Sequence, residues 1–252
     1  MTDPVKQALA KVPEVTLVFW LIKIAATTLG ETGGDAVSMS LGLGYLVGTA
    51  IFAVIFLAAV GAQIRSKAFH PALYWLTIIA TTTVGTTLAD FADRSLGIGY
   101  EGGSALLLAL LLASFAVWYK VMGSVSIDTV ASPKAEAFYW VTIMVSQTLG
   151  TALGDWMADD AGLGYLGSIV LFGGALVVLA ALYVYTSVSR TALFWGAFVL
   201  TRPLGAVVGD FFDKPVEEGG LDMNRFLASG LLLAVMVILI LVFRQKPAAQ
   251  AH

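Results

Sequence analysis

The stretch Trp20–Tyr45, WLIKIAATTLGETGGDAVSMSLGLGY, decides the fold because the chain repeats its pattern four times. Trp20, Trp75, Trp140 and Trp195 open the copies, and Gly30, Gly85, Gly150 and Gly205 follow ten positions later. Asp35, Asp90, Asp155 and Asp210 come five positions after those glycines. The first three copies close on Gly-Leu-Gly-Tyr45, Gly-Ile-Gly-Tyr100 and Gly-Leu-Gly-Tyr165, whereas the fourth runs on after Asp210 into a longer acidic loop. Chance similarity between apolar segments does not place Trp, Gly and Asp in one register four times, so the repeat governs every later inference. The tryptophans are spaced 55, 65 and 55 residues apart, which puts copies one and three, and copies two and four, 120 residues apart. That pattern marks a duplicated two-repeat half.

Composition sets the surroundings. The 252 residues are 58% hydrophobic and 12% charged, with a mean hydropathy of +0.87. A soluble domain carries roughly 25% charged residues, so this chain belongs in a lipid bilayer. It has no cysteine, which excludes disulfides, thiolate metal sites and cysteine nucleophiles. The opening MTDPVKQALAKVPEV contains acids and a proline and lacks a small-residue cleavage site, so the first apolar helix is expected to direct insertion itself.

About 20 apolar residues cross the ~30 Å hydrocarbon layer as a helix. Eight such segments are present, at roughly 15–34, 45–64, 72–92, 103–122, 136–157, 163–185, 191–211 and 225–243. The expected fold is therefore all-α, a single transmembrane domain over 1–252 with repeats at approximately 15–64, 70–122, 135–186 and 190–244. Each repeat supplies two helices, the first bearing the chemistry and the second nearly pure Leu, Val, Ala and Phe. Since each unit crosses twice, all copies enter in the same direction, as parallel repeats around an axis along the membrane normal. Lys6, Lys11, Arg65, Lys67, Lys120, Lys134, Arg190, Arg244 and Lys246 fall on one side, while Arg94, Lys214 and Arg225 fall on the other. The positive-inside rule then places both termini in the cytoplasm, in a bacterial inner membrane.

From each Trp, positions 7, 11, 15 and 18 fall within about an 80° sector of a helix. They read Thr27, Glu31, Asp35 and Ser38; Thr82, Thr86, Asp90 and Asp93; Gln147, Thr151, Asp155 and Ala158; Arg202, Ala206, Asp210 and Asp213. Fifteen residues span roughly 22 Å, so with the tryptophans at the cytoplasmic interface the aspartates lie near the outer end. Acidic side chains at membrane depth are costly and mark ion or proton paths. The candidate metal-ligating set is Glu31, Asp35, Asp90, Asp93, Asp155, Asp159, Asp210 and Asp213. Thr27, Thr82, Thr86, Gln147, Thr151 and Arg202 line the same path. Oxygen donors without sulfur or imidazole suit Mn²⁺, Mg²⁺, Ca²⁺, alkali ions and protons. His70 and His252 lie outside the stripe, so zinc and copper gain little support.

Two basic residues fall inside helices. Lys23, one turn from Trp20, is expected to snorkel to the cytoplasmic surface. Arg202, deeper and followed by Pro203, is expected to be an internal counter-ion for a carboxylate such as Glu31, displaceable by an arriving cation. The tryptophans are expected as interfacial anchors, with a lining role at the cytoplasmic mouth as the alternative. Gly30 and its equivalents, with Gly33, Gly34, Gly154 and Gly209, are expected to permit close helix approach. The Gly-x-Gly-Tyr turns read as tight outer connections and lack the lysine of a phosphate loop.

The four Trp-to-Asp segments together resemble a bacterial family of uncharacterised membrane-anchored proteins. That family is defined by four tandem repeats of unknown function, each with two transmembrane segments and a characteristic tryptophan. The resemblance covers about residues 15–243 and implies topology rather than activity. Copy four departs from it, since Arg202-Pro203 replaces the polar pair and the closing Gly-x-Gly-Tyr is lost. From the stripe, the expected function is secondary transport of a small hard cation, a divalent metal with Mn²⁺ foremost, coupled to protons. A pseudo-tetrameric cation channel is the alternative within transport. A lipid or quinone enzyme and a partner-binding scaffold are the alternatives outside it. Enzyme chemistry is disfavoured because no Ser/His/Asp set, His pair or cysteine is present. No cofactor and no nucleic-acid partner are expected, and the chain is expected as a monomer or a homodimer.

Overall fold

A computed structural model describes residues 11–248. Lys6 and His252, and with them the two chain ends assigned to the cytoplasm, lie outside the described residues. Among those described, eight long helices follow one another: α1 (Leu17–Asp35), α2 (Tyr45–Arg65), α3 (Pro71–Asp90), α4 (Tyr100–Met122), α5 (Pro133–Asp155), α6 (Gly164–Tyr185), α7 (Arg190–Asp213) and α8 (Arg225–Val242). Their starts follow from local chemistry. Thr16, Ser132, Ser189 and Asn224 accept backbone N–H groups at the first turns of α1, α5, α7 and α8, and Pro71 opens α3.

The odd helices form a ring. α1 packs on α3, α3 on α5, α5 on α7, and α7 closes back on α1. Each even helix leaves its own repeat and lies on the inner helix of the next, α2 on α3, α4 on α5 and α6 on α7, with α8 completing the circle on α1. No repeat is therefore a self-contained unit. The even helices cover the outside, and only 11% of the apolar stretch of each is buried, against 72% for α3 with its terminal turn and 67% for α7. Among the described residues, six helices are long and apolar enough to cross a membrane. The two others, α1 and α5, are members of the inner ring.

Glycine at position 10 sets the spacing of the ring. A Cβ on Gly30 would strike Thr82, on Gly85 it would meet Gln147, on Gly150 Arg202, and on Gly205 Thr27. In every case the obstructed residue is position 7 of the next copy, so the glycine admits a neighbouring side chain at backbone distance. The close-packing expectation holds, and it extends to direction, since the same contact recurs around the circle.

Beyond the aspartates, three copies change pitch. Residues Ala36–Ser40, Phe91–Ser95 and Trp156–Asp160 form π-helical turns, in which Leu41, Leu96 and Ala161 donate to the carbonyls five residues back, Ala36, Phe91 and Trp156. The following Gly-x-Gly turns place both glycines at positive φ, 66° and 77° at Gly42 and Gly44, 70° and 81° at Gly97 and Gly99, 70° and 63° at Gly162 and Gly164. Only glycine adopts such backbone readily. The fourth copy has neither feature, and α7 continues regularly to Asp213.

Candidate functional site

One row of residues, recurring every four positions from −1 to 15 relative to each Trp, is buried on all four ring helices. At the first level stand Phe19, Tyr74, Tyr139 and Phe194, and each meets the tryptophan of the next copy. Ring centroids are 5.4 Å apart for Phe19 and Trp75, 5.8 Å for Tyr74 and Trp140, 6.0 Å for Tyr139 and Trp195, and 5.8 Å for Phe194 and Trp20. The hydroxyls of Tyr74 and Tyr139 lie 2.7 Å apart. Trp75, Trp140 and Trp195 are 1%, 2% and 6% exposed and Trp20 is half-buried. This corrects the interfacial-anchor expectation: three of the tryptophans close the axis, because the tilted ring contacts between copies bury more aromatic surface than an outward ring would. The two flanking segments cross above them, with Glu14 donating to the Lys246 carbonyl and Ala248 to that of Val12, both at 2.8 Å. Lys11 is held there 2.7 Å from Glu136.

Position 3 contributes Lys23, Ile78, Ile143 and Phe198. Lys23 is fully buried, its Nζ 4.2 Å from the centroid of the Phe198 ring. The snorkelling expectation fails, because Lys23 is fully buried and packs on Phe198 of α7 and does not reach a surface.

Position 7 holds Thr27, Thr82, Gln147 and Arg202, and position 11 holds Glu31, Thr86, Thr151 and Ala206. Arg202 joins the two levels. Its Nη1 donates to Glu31 Oε2 at 2.9 Å, and its Nη2 donates to Thr86 Oγ1 at 2.6 Å and to Thr151 Oγ1. One guanidinium thus meets position 11 of all three other copies, and its pairing with Glu31 is the one expected from sequence. Thr86 also lies 3.2 Å from Glu31 Oε2.

Position 15 forms a ring of buried aspartates. Arg94 lies 2.9 Å from Asp90 and 3.4 Å from Asp155, while Lys214 lies 2.6 Å from Asp35 and 3.2 Å from Asp210. Both bases stand at position 19, in copies two and four, and each bridges its own aspartate to the next. The ring has become a pair of pairs, which is the geometric counterpart of the 120-residue duplication. Arg225 adds a contact of 3.1 Å to Asp213. Burial opposes the charge of Lys214, but Asp210, Asp35 and Asp213 outweigh it and hold the ammonium well above its ordinary pKa of 10.5.

Among the described residues, two carboxylate trios have the compactness of a cation site. Glu31, Asp35 and Asp90 offer oxygens within 4.8 Å of one another, as do Asp35, Asp210 and Asp213. Asp35 belongs to both, and every member is buried. Asp155 enters the ring through Arg94 rather than through a trio. Asp93 turns away beneath the first turn of α4, against Gly103, with neither carboxylate oxygen hydrogen-bonded among the described residues. Asp159 is exposed. Arg94, Lys214 and Arg225, read from sequence as loop charges, are partners of the stripe. Their signal was available: Arg94 and Lys214 share a register and lie four residues after Asp90 and Asp210.

Fold and site together define an all-helical tandem-repeat protein of membrane-like composition, with a buried carboxylate ring at one end of its axis. The chain belongs to the family described as a repeat of unknown function (DUF347), whose model matches residues 18–69, 73–124, 138–189 and 193–246. No curated protein and no solved structure matches it.

Proposed function

We propose that the protein is a secondary transporter of a small hard cation, a divalent metal with Mn²⁺ foremost, exchanged against protons across a bacterial inner membrane. In this reading all eight helices cross the bilayer around an axis along its normal, with the termini cytoplasmic. The bases at the aspartate end support that orientation. Arg94, Lys214 and Arg225 are all engaged by carboxylates, so the loosely held positive charge of Arg65, Lys67, Lys120 and Lys134 lies at the tryptophan end.

The observation that carries the proposal is the sharing of Asp35 between two buried trios. Glu31, Asp35, Asp90, Asp155, Asp210 and Asp213 outnumber the cations Arg94, Arg202, Lys214 and Arg225 at this end, leaving an excess of oxygen ligands suited to a hard cation. A cation enters at Asp35, Asp210 and Asp213 by displacing the Lys214 ammonium, passes to Glu31, Asp35 and Asp90, and there confronts Arg202. Carboxylates that release a metal take protons in return, which supplies the exchange. The channel reading is disfavoured by the aromatic closure and by the central guanidinium, both of which obstruct a continuous path. A monomer suffices, since one chain completes the ring.

The test is uptake of Mn²⁺, Mg²⁺, Ca²⁺ and Zn²⁺ into proteoliposomes carrying an internal pH dye. Wild type should move Mn²⁺ with proton counterflow, and Asp35→Asn and Asp155→Asn should each lose it. Uptake unchanged in both variants, or no flux of any of the four ions, refutes the proposal.

A further inference from the structure

Away from the carboxylates, unpartnered polar groups gather at one level of the axis. Lys23 Nζ, Thr82 Oγ1, both amide atoms of Gln147 and Arg202 Nε have no hydrogen-bond partner among the described residues. All four residues are 0% exposed. Thr82, Gln147 and Arg202 share position 7 on three helices of the ring, and Lys23 lies one turn nearer the tryptophans on the fourth. The level is bounded on both sides. Toward the aspartates, the Nη groups of Arg202 are committed to Glu31, Thr86 and Thr151. Toward the other end stands the aromatic closure.

Buried polar groups normally find partners, and a buried ammonium without a counter-ion is especially costly. The π face of Phe198 attracts Lys23 but accepts none of its N–H groups in a hydrogen bond. Positions 3 and 7 carry no carboxylate on any of the four helices, reading Lys23, Ile78, Ile143, Phe198, Thr27, Thr82, Gln147 and Arg202. The free groups are therefore rich in donors: an ammonium, a guanidinium N–H, an amide NH₂ and a hydroxyl. We propose that this level binds a small monovalent inorganic anion of halide size, held by Lys23, Arg202 Nε, Gln147 and Thr82. The site lies beyond Arg202 from the carboxylates and does not depend on the cation proposal. Water would satisfy the hydroxyl and the amide, whereas an anion also answers the surplus of N–H donors on Lys23, Gln147 and Arg202.

The full chain purified in detergent is unfolded thermally in sodium bromide and in sodium gluconate at equal ionic strength. Bromide should raise Tm saturably, by roughly 3–5 °C at ten times its half-saturating concentration. Lys23→Met should abolish that rise while leaving a Mn²⁺-dependent rise intact, and Gln147→Leu should move half-saturation about tenfold higher. Equal Tm in the two salts, the result expected if water alone fills the level, overturns the proposal. So does a bromide response retained in Lys23→Met. A bromide response in a protein that shows no response to Mn²⁺ would leave this site standing and remove the cation reading.

Discussion

Lys214 holds its ammonium 2.6 Å from Asp35 and 3.2 Å from Asp210, where the proposed transport reading places the entering cation. Removing one partner of a buried ion pair leaves the other uncompensated, at a cost of about 3–5 kcal/mol. A bound metal recovers part of that cost, so Lys214→Met should lower the apparent Kd for Mn²⁺ by one to two orders of magnitude, measured by titration in detergent. The lysine's folded-state pKa lies above 10.5, so its stabilisation is fully present below that value and is lost only as pH rises through the higher folded value. Between pH 6 and 9 the ammonium keeps competing with the metal, and the Mn²⁺ affinity of Lys214→Met should follow the same pH profile as that of wild type. Arg202 and Glu31 call for a double-mutant cycle. Arg202→Met alone should destabilise by about 3–5 kcal/mol, whereas Arg202→Met with Glu31→Leu should recover most of the loss in a denaturation series.

Among the elements, the glycines and the π turns govern what meets what. Gly150→Ala drives a methyl into the Arg202 side chain and should cost about 1–3 kcal/mol. Gly173→Ala, in α6 with nothing within 4 Å of its added Cβ, should be neutral or stabilising in the same thermal assay. The register of Trp, Gly and Asp was legible because the chain supplies its own comparison, and so were the eight helices and the pairing of Arg202 with Glu31. The sector of positions 7, 11, 15 and 18 was misplaced at its last member, for a physical reason. A π turn is wider than an α turn, so after Asp90 it carries Asp93 beneath α4. In the fourth copy the helix stays regular, and Asp213 remains beside Asp35 and Asp210. Helical projection assumes one pitch and does not register that change. Lys23 was misread because amphipathicity identifies a polar face without showing that the same face continues through apolar levels to the far end.

Across the whole molecule, the displacement of each even helix onto the next repeat makes closure a property of the complete ring. Sequence periodicity gave the number of helices but not this exchange, since a nearly uniform apolar helix carries no mark of which neighbour it covers. α8 finds its partner in α1 at the opposite end of the chain. Cutting the connection between α4 and α5 should therefore give halves that co-purify when co-expressed, while either half alone should pair with a second copy or be degraded. A stable monomeric half would contradict the arrangement. The central claim is that the buried carboxylates around Asp35 hold a hard cation, and the most direct measurement is the electron paramagnetic resonance signal of free Mn²⁺ titrated with purified protein. Wild type should remove the signal saturably and Asp35→Asn should leave it undiminished, with Asp159→Asn behaving as wild type. Equal removal by wild type and Asp35→Asn, or none by wild type, would contradict the account.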